Sequence, residues 1–95
     1  METFDYIVIG AGSAGCVLAN RLSADPSKRV LVIENGGGDR DIRVKVPAGI
    51  LAMYGRPRFD YGFVGVPQPE LNNRRIPANR GRMLGGSSSL NSMLY

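Results

Sequence analysis

Residues 5–34 carry one pattern that leaves few folds open: an apolar run, a glycine hexamer, a helical stretch, a second apolar run and an acid at its end. Asp5-Tyr6-Ile7-Val8-Ile9 leads into Gly10-Ala11-Gly12-Ser13-Ala14-Gly15. Cys16 to Leu22 follow, and Val30-Leu31-Val32-Ile33 ends in Glu34. A G-x-G-x-x-G alone arises by chance in glycine-rich sequence. Here it lies between a predicted strand and a predicted helix, with a carboxylate 19 residues past Gly15. That context makes it a dinucleotide-binding fingerprint on a parallel βαβ unit, an α/β arrangement of the Rossmann type. The competing reading is a βαβ turn that binds nothing, with Glu34 a solvated strand end.

Each residue type in the pattern has a physical task. Gly10 permits the tight turn off the strand, Gly12 has no Cβ and lets a pyrophosphate approach the backbone, and Gly15 lets the helix lie close against the sheet. A helix beginning near Ser13 and Ala14 directs unpaired N–H groups and the positive end of its dipole at the phosphates. Glu34 can accept hydrogen bonds from ribose hydroxyls, and its charge repels a 2′-phosphate, which disfavours an NADP-type ligand.

The chain has 95 residues, of which 43% are hydrophobic. That composition indicates a globular chain and room for one small domain, burying about two-thirds or less of its unfolded surface. Its apolar stretches are too short for a membrane span, and no basic region precedes the first strand as in a signal peptide. The single cysteine, Cys16, excludes an internal disulfide and points to a reducing, cytoplasmic setting. Its place in the first helical turn predicts core filler rather than a reactive thiol. The net charge of +4 includes Arg74, Arg75, Arg80 and Arg82 close together. No aromatic residues interleave with them to stack bases, so nucleic acid is not an expected partner. There is no histidine, the commonest general base near neutral pH. No metal-ligating pattern and no catalytic residue is expected.

The first helix is predicted to end near Leu22, with Val17, Leu18 and Leu22 roughly on one face, before Pro26. Both strands are near-continuous apolar runs, as in parallel strands covered on two faces. Asn35-Gly36-Gly37-Gly38 with Asp39, Arg40 and Asp41 reads as a flexible loop. A short helix is predicted around Pro47–Tyr54, ended by Gly55 and Pro57. Tyr61 to Val66 form a weak strand, and Leu71 to Ile76 a hairpin turn in which Asn72 and Asn73 can take positive φ. Gly85-Gly86-Ser87-Ser88-Ser89 is a second glycine loop predicted to open a helix, with N-caps from Ser87–Ser89 and Leu90, Met93 and Leu94 on one face. The organisation is thus 1–34 as βαβ unit, 35–80 as loop, short helix and hairpin, and 81–95 as second loop and helix start. The second loop suits an anion or a polar cofactor edge, or else is a serine-rich helix cap.

Together the two loops resemble the amino-terminal part of the glucose–methanol–choline (GMC) family of flavin oxidoreductases. Residues 5–15 are similar to that family's FAD fingerprint, and Gly81-Arg82-Met83-Leu84-Gly85-Gly86-Ser87-Ser88-Ser89-Leu90-Asn91, up to Tyr95, to its first signature. The stretch from Phe59 to Pro69 resembles the strand before that signature. Within the family the chain looks most like choline or other alcohol dehydrogenases. The resemblance implies FAD, with Gly10, Gly12, Ser13, Ala14 and Gly15 at the pyrophosphate and Glu34 at the adenosine ribose. It places Arg82, Gly85, Gly86, Ser87, Ser88 and Asn91 along the pyrophosphate, ribityl chain and flavin. Two departures stand out. Asn35 follows the strand-end glutamate where the family usually has alanine. Leu90 stands where some choline oxidases have a histidine bonded covalently to FAD, so non-covalent flavin is expected.

Members of that family are several hundred residues long, with a substrate domain and a catalytic histidine. The resemblance therefore implies a partial FAD-binding domain, a fragment of a larger two-domain fold, taking a small alcohol substrate only with the missing domain. Other readings stay open: a non-catalytic FAD- or ADP-binding fragment or a truncated, unfolded remnant without activity, and hydroxynitrile lyase chemistry on the same scaffold.

Overall fold

A computed structural model of the chain describes residues 1–93; Leu94, the end of the expected helical face, and Tyr95, the end of the signature, lie outside the described residues. The first strand, β1 (Tyr6–Ile9), the helix α1 (Ser13–Leu22) and the second strand, β2 (Val30–Ile33), follow the predicted order. The strands pair in parallel from Tyr6 opposite Val30 to Ile9 opposite Ile33. Asp5 fixes the start of this pairing by accepting from Arg29 N–H (2.9 Å), and Gly10 N–H donates to Ile33 O (2.7 Å) at its end.

Side chains alternate across a strand, so Val8 faces α1 and is buried, while Ile7 and Ile9 point to the opposite face and are exposed. The expectation of cover on both faces fails here because, among the described residues, only α1 packs on this sheet. The helix itself buries only Gly15. Cys16, expected as core filler, is exposed, its thiol 3.3 Å from Ala11 O. Gly15 occupies the position that meets the sheet, and each further residue turns about 100° around the helix axis, which carries Cys16 and Val17 off that contact.

After β2 the chain loses regular structure and gains a core. Asp41 caps a short helix, α2 (Ile42–Lys45), by accepting from Arg43 N–H (3.0 Å). A 3₁₀ helix over Pro47–Ala52 stands where a short helix was expected. Its approach is close: a Cβ on Gly49 would lie 1.9 Å from Arg43 O. Strands β3 (Phe63–Val64) and β4 (Pro77–Ala78) pair antiparallel, closed by a tip in which Asn72 and Asn73 take φ of 60° and 58°. Met53, Phe59, Met83 and Leu90 form the buried cluster, with Val44 and Ile50 packed against it.

The helix predicted from the second glycine loop is not α-helical. Gly86–Ser89 make one 3₁₀ turn, and Met93 has φ of 50°. The serines do not cap. Ser88 Oγ donates to Gly85 O (2.5 Å) and Ser89 Oγ to Leu84 O (3.0 Å), offering the backbone a partner other than the helix ladder. Asn91 Oδ1 then accepts from Met93 N–H (3.0 Å), a local turn that ends the run.

Candidate cofactor site

The turn from β1 into α1 is built by its glycines. Gly10 has φ of +91°, a conformation side chains rarely take. A Cβ on Gly15 would lie 1.9 Å from Gly10 O, so the helix can meet the strand end only without one. Gly12 is the opposite case, with nothing within 4 Å of the Cβ position. That space opens onto the first turn of α1. The helix ladder begins with Cys16 N–H to Gly12 O (2.9 Å), so Ser13, Ala14 and Gly15 precede its first bond. Gly12, the N-cap, has no side chain to cap them, and the first turn holds no acid. The result is a helix end with open donors and positive potential.

Glu34 stands at the tip of β2 beside this turn. One carboxylate oxygen accepts from Ala11 N–H (2.8 Å) and the other from Gly36 N–H (2.8 Å). The acid therefore ties the glycine turn to the loop after β2, and each oxygen keeps a further lone pair for a ligand hydroxyl. A cleft of about 320 Å³ opens here, lined by Ile9, Gly10, Ile33, Glu34, Asn35 and Tyr61.

The second glycine loop lies against the first. Gly85 N–H donates to Ala11 O (2.8 Å), and a Cβ on Gly86 would lie 2.9 Å from Gly12 Cα. Gly85 and Gly86 both have positive φ, 88° and 58°. Behind them Gly37 bridges Met83 in parallel, and Leu84 N–H donates to Gly37 O (3.0 Å). Ser87 Oγ accepts from Gly81 N–H (3.2 Å), bracing the base of the loop. Ser88 and Asn91 are exposed and engaged in the local bonds already described. Arg82 turns its guanidinium to Pro57 O (3.1 Å) and over the Tyr61 ring (5.9 Å), while its Nε is buried with no partner among the described residues. Thus Gly10, Gly12, Ser13, Ala14, Gly15, Glu34, Gly85 and Gly86 meet around one helix end, and Arg82, Ser87, Ser88 and Asn91 flank them.

Three residues at or behind the site carry no site role in the sequence reading, where Asn35 stands only as a departure after Glu34. Asn35 and Tyr61 line the cleft, joined by a long hydrogen bond from Asn35 Nδ2 to Tyr61 OH (3.4 Å). Asp60 is 2% exposed and accepts from the N–H groups of Gly55 (2.9 Å), Gly62 (3.0 Å) and Arg80 (3.0 Å), and from Asn79 Nδ2. Burial pushes its carboxyl pKa up, but the bonds from Asn79, Gly62, Gly55 and Arg80 outweigh burial and lower it to about 2. The signal that could have found it is Asp60-Tyr61-Gly62, an acid two residues before a glycine with φ of +66°. Among the described residues no group of three metal-ligating side chains lies together, and no helix is long and apolar enough to cross a membrane.

A parallel βαβ unit with a glycine turn, an open helix end and an acid at the second strand tip defines a dinucleotide-binding protein. The open Gly12 position and the acid beside it fit a pyrophosphate and a ribose. Residues 4–95 match the GMC oxidoreductase family. The chain is 51% identical over 92 residues to the alcohol dehydrogenase [acceptor] of Pseudomonas putida, covering 97% of this chain and 17% of that one. It is 50% identical over 94 residues to the chloroplastic fatty acid photodecarboxylase of Chlamydomonas reinhardtii, covering 99% and 15%. Other relatives are named oxygen-dependent choline dehydrogenase. The crystal structure of pyridoxine 4-oxidase from Mesorbium loti superposes with a TM-score of 0.89 at 41% identity, covering 98% of this chain and 18% of that one. The chain belongs to the GMC oxidoreductase family, a family of FAD-dependent enzymes. It spans less than one fifth of the length of these relatives.

Proposed function

We propose that this chain forms the FAD-binding cradle of an oxidoreductase acting on CH–OH groups, choline or another alcohol. The observation that carries the reading is the contact of two glycine loops, Gly12 against Gly86, at the open end of α1. In this reading Gly10, Gly12, Ser13, Ala14 and Gly15 hold the pyrophosphate by backbone N–H groups and the helix dipole. Glu34 accepts from the adenosine ribose. Arg82, Gly85, Gly86, Ser87, Ser88 and Asn91 line the path toward the flavin. Bound FAD would supply a hydride acceptor, and these 95 residues hold no histidine, the commonest proton acceptor for an alcohol hydroxyl near neutral pH. Leu90 is buried in the core cluster and offers no nucleophilic atom for a covalent bond, which supports a non-covalently held flavin. The lone cysteine supports a reducing, cytoplasmic setting.

The chain by itself is proposed to bind without oxidising alcohols. A second reading, a non-catalytic FAD- or ADP-binding protein, is favoured by the open end of α1 beside Glu34, which by itself asks only for an ADP moiety. One set of titrations tests both. Flavin fluorescence should be quenched by the chain, and Glu34→Ala should weaken binding by roughly 1.5–3 kcal/mol through loss of charged hydrogen bonds. Acid precipitation should leave the flavin in the supernatant. Anaerobic bleaching with choline or a panel of primary alcohols should not occur with the chain alone. Bleaching would sink the proposal that the chain is inactive, and unchanged affinity in Glu34→Ala would sink the ribose role.

A further inference from the structure

The buried carboxylate of Asp60 has no part in the binding described so far, yet it anchors the stretch that leads into the second glycine loop. Its two oxygens divide four donors. Oδ1 accepts from Gly62 N–H (3.0 Å) and Arg80 N–H (3.0 Å), and Oδ2 from Gly55 N–H (2.9 Å) and Asn79 Nδ2–H. On either side the backbones of residues 59–61 and 80–82 are laced together. Tyr61 N–H donates to Arg80 O (3.0 Å), Arg82 N–H donates to Phe59 O (2.7 Å), and Asp60 bridges Gly81 antiparallel. Gly81 then carries the loop. A Cβ there would lie 2.1 Å from Gly86 O, and its N–H donates to Ser87 Oγ (3.2 Å). Gly86 in turn rests on Gly12. A continuous run of backbone contacts therefore leads from Asp60 to the open end of α1, while the four bonds of the carboxylate itself end at residues 55, 62, 79 and 80.

We infer that Asp60 is a positioning residue for cofactor binding: it sets where the Gly85–Gly86 turn rests on Gly12, and with it the fit of the flavin half of the ligand. An ionised carboxylate suits the task because it only accepts, so four donors share one meeting point with no competing N–H among them. Two of the four, Arg80 N–H and Asn79 Nδ2–H, belong to the residues just before Gly81. Releasing them frees the strand that carries the loop. The Gly81–Gly86 contact is too close to hold even a Cβ, so a shift of Gly81 is passed on rather than absorbed by a side chain changing rotamer. This role rests on the proposed FAD cradle and goes beyond it by giving control of the second loop to a residue outside the cradle.

Equilibrium dialysis of the full chain with FAD and with ADP tests it, because ADP lacks the half of the ligand that the second loop lines in the cradle. The unaltered chain should favour FAD by about tenfold or more, the effect of one or two added hydrogen bonds. Asp60→Ala should bring the ratio near one through weaker FAD binding, with ADP binding held within about twofold since its bonds lie in residues 10–34. Asp60→Asn should keep the FAD preference. Its amide oxygen can still accept from Gly62 and Arg80, and its N–H2 can meet the Asn79 oxygen once that amide turns over, which strands Gly55 alone. Met53→Ala opens a cavity in the adjoining core and destabilises the same region, yet leaves the four bonds intact and should also keep the preference. Where Asp60→Ala fails to fold, Asp60→Ser takes its place, with a polar atom in the buried position but too short a side chain to reach both sides. A preference kept in the alanine or serine variant, or lost as fully in Asp60→Asn or Met53→Ala, overturns the positioning role and leaves the cradle standing. Equal binding of FAD and ADP by the unaltered chain overturns the second loop's part in the cradle and the role of Asp60 with it. Binding of neither overturns both.

Discussion

Residues 5–34 and residues 41–93 divide the molecule's resources in opposite ways. The first region holds the ten-residue helix α1 and both four-residue strands, yet its buried side chains are Val8 and Ala11. The second has a four-residue helix, two-residue strands and 3₁₀ turns, yet it contains Met53, Phe59, Met83, Leu90 and the buried Asp60. Regular hydrogen bonding and burial are separate achievements. A helix or a parallel pair satisfies its backbone by near-neighbour pattern, whereas burial needs surfaces that arrive from elsewhere. In the first region a sheet of two strands offers α1 one narrow contact, and Gly15 takes it. In the second a carboxylate replaces the ladder: four donors from residues 55, 62, 79 and 80 converge on Asp60.

The contrast predicts that the two regions fail separately. The largest effect is expected from Asp60→Ala, which strands three backbone N–H groups and an amide in a buried place. A loss on the order of 3 kcal/mol or more follows from the cost of unmade bonds to a charged group. Hydrogen exchange should show residues 55–81 losing protection while the β1–β2 amides keep theirs; equal loss in both would break the division. The same carboxylate sets an acid limit. Its folded pKa, about 2, lies below the ordinary 3.8, so the folded state binds its proton less readily than the unfolded one. The stability it contributes is present above pH about 4 and lost as pH falls through about 2, a loss that Asp60→Ala should abolish in acid titrations followed by circular dichroism.

A smaller, opposite effect is expected from Gly15→Ala. The added Cβ meets Gly10 O, and overpacking of this kind costs about 1–3 kcal/mol. It should reduce the helical dichroism of α1 and weaken FAD binding while the protection of residues 55–81 stays as it was. Loss of protection around Asp60 in this variant would show that the loop contact between Gly12 and Gly86 couples the regions more tightly than their separate cores suggest. The smallest effect should come from Cys16. Its thiol is exposed and should react readily with a thiol reagent, with a change in stability within about 0.5 kcal/mol. A thiol that reacts only after denaturation would restore the core-filler expectation.

The parts of the site that could be read from sequence are those whose causes are local. Gly10 is needed at positive φ by the turn itself, Glu34 reaches the strand tip by spacing, and Asn72 and Asn73 take left-handed backbone as asparagines can. The second glycine loop was legible as a loop but not as a non-helix, because Ser88 and Ser89 bond to carbonyls whose positions depend on packing. Helix α2 follows directly on what read as a flexible loop ending at Asp41, its cap, which pairs with Arg43 of the helix itself (2.8 Å) and with the more distant Arg58 (3.4 Å). Cys16 was misread because a small side chain in the first helical turn was expected to pack against the sheet, a contact that Gly15 takes.

By itself, then, the sequence determined the βαβ unit, its parallel pairing, the open helix end and the acid beside it, since these follow from near-neighbour sterics, dipoles and spacing. Only the tertiary structure decided that Gly86 would rest on Gly12, that Asp60 would gather donors from both sides of the hairpin, and that Asn35 would meet Tyr61 at the lip of the cleft. Gly12 with Gly86, Asp60 with Asn79 and Arg80, and Asn35 with Tyr61 are residues 19 to 74 positions apart. No local preference specifies such meetings; they form where chain crossings bring complementary groups within reach and the burial of Met53, Phe59, Met83 and Leu90 holds them there.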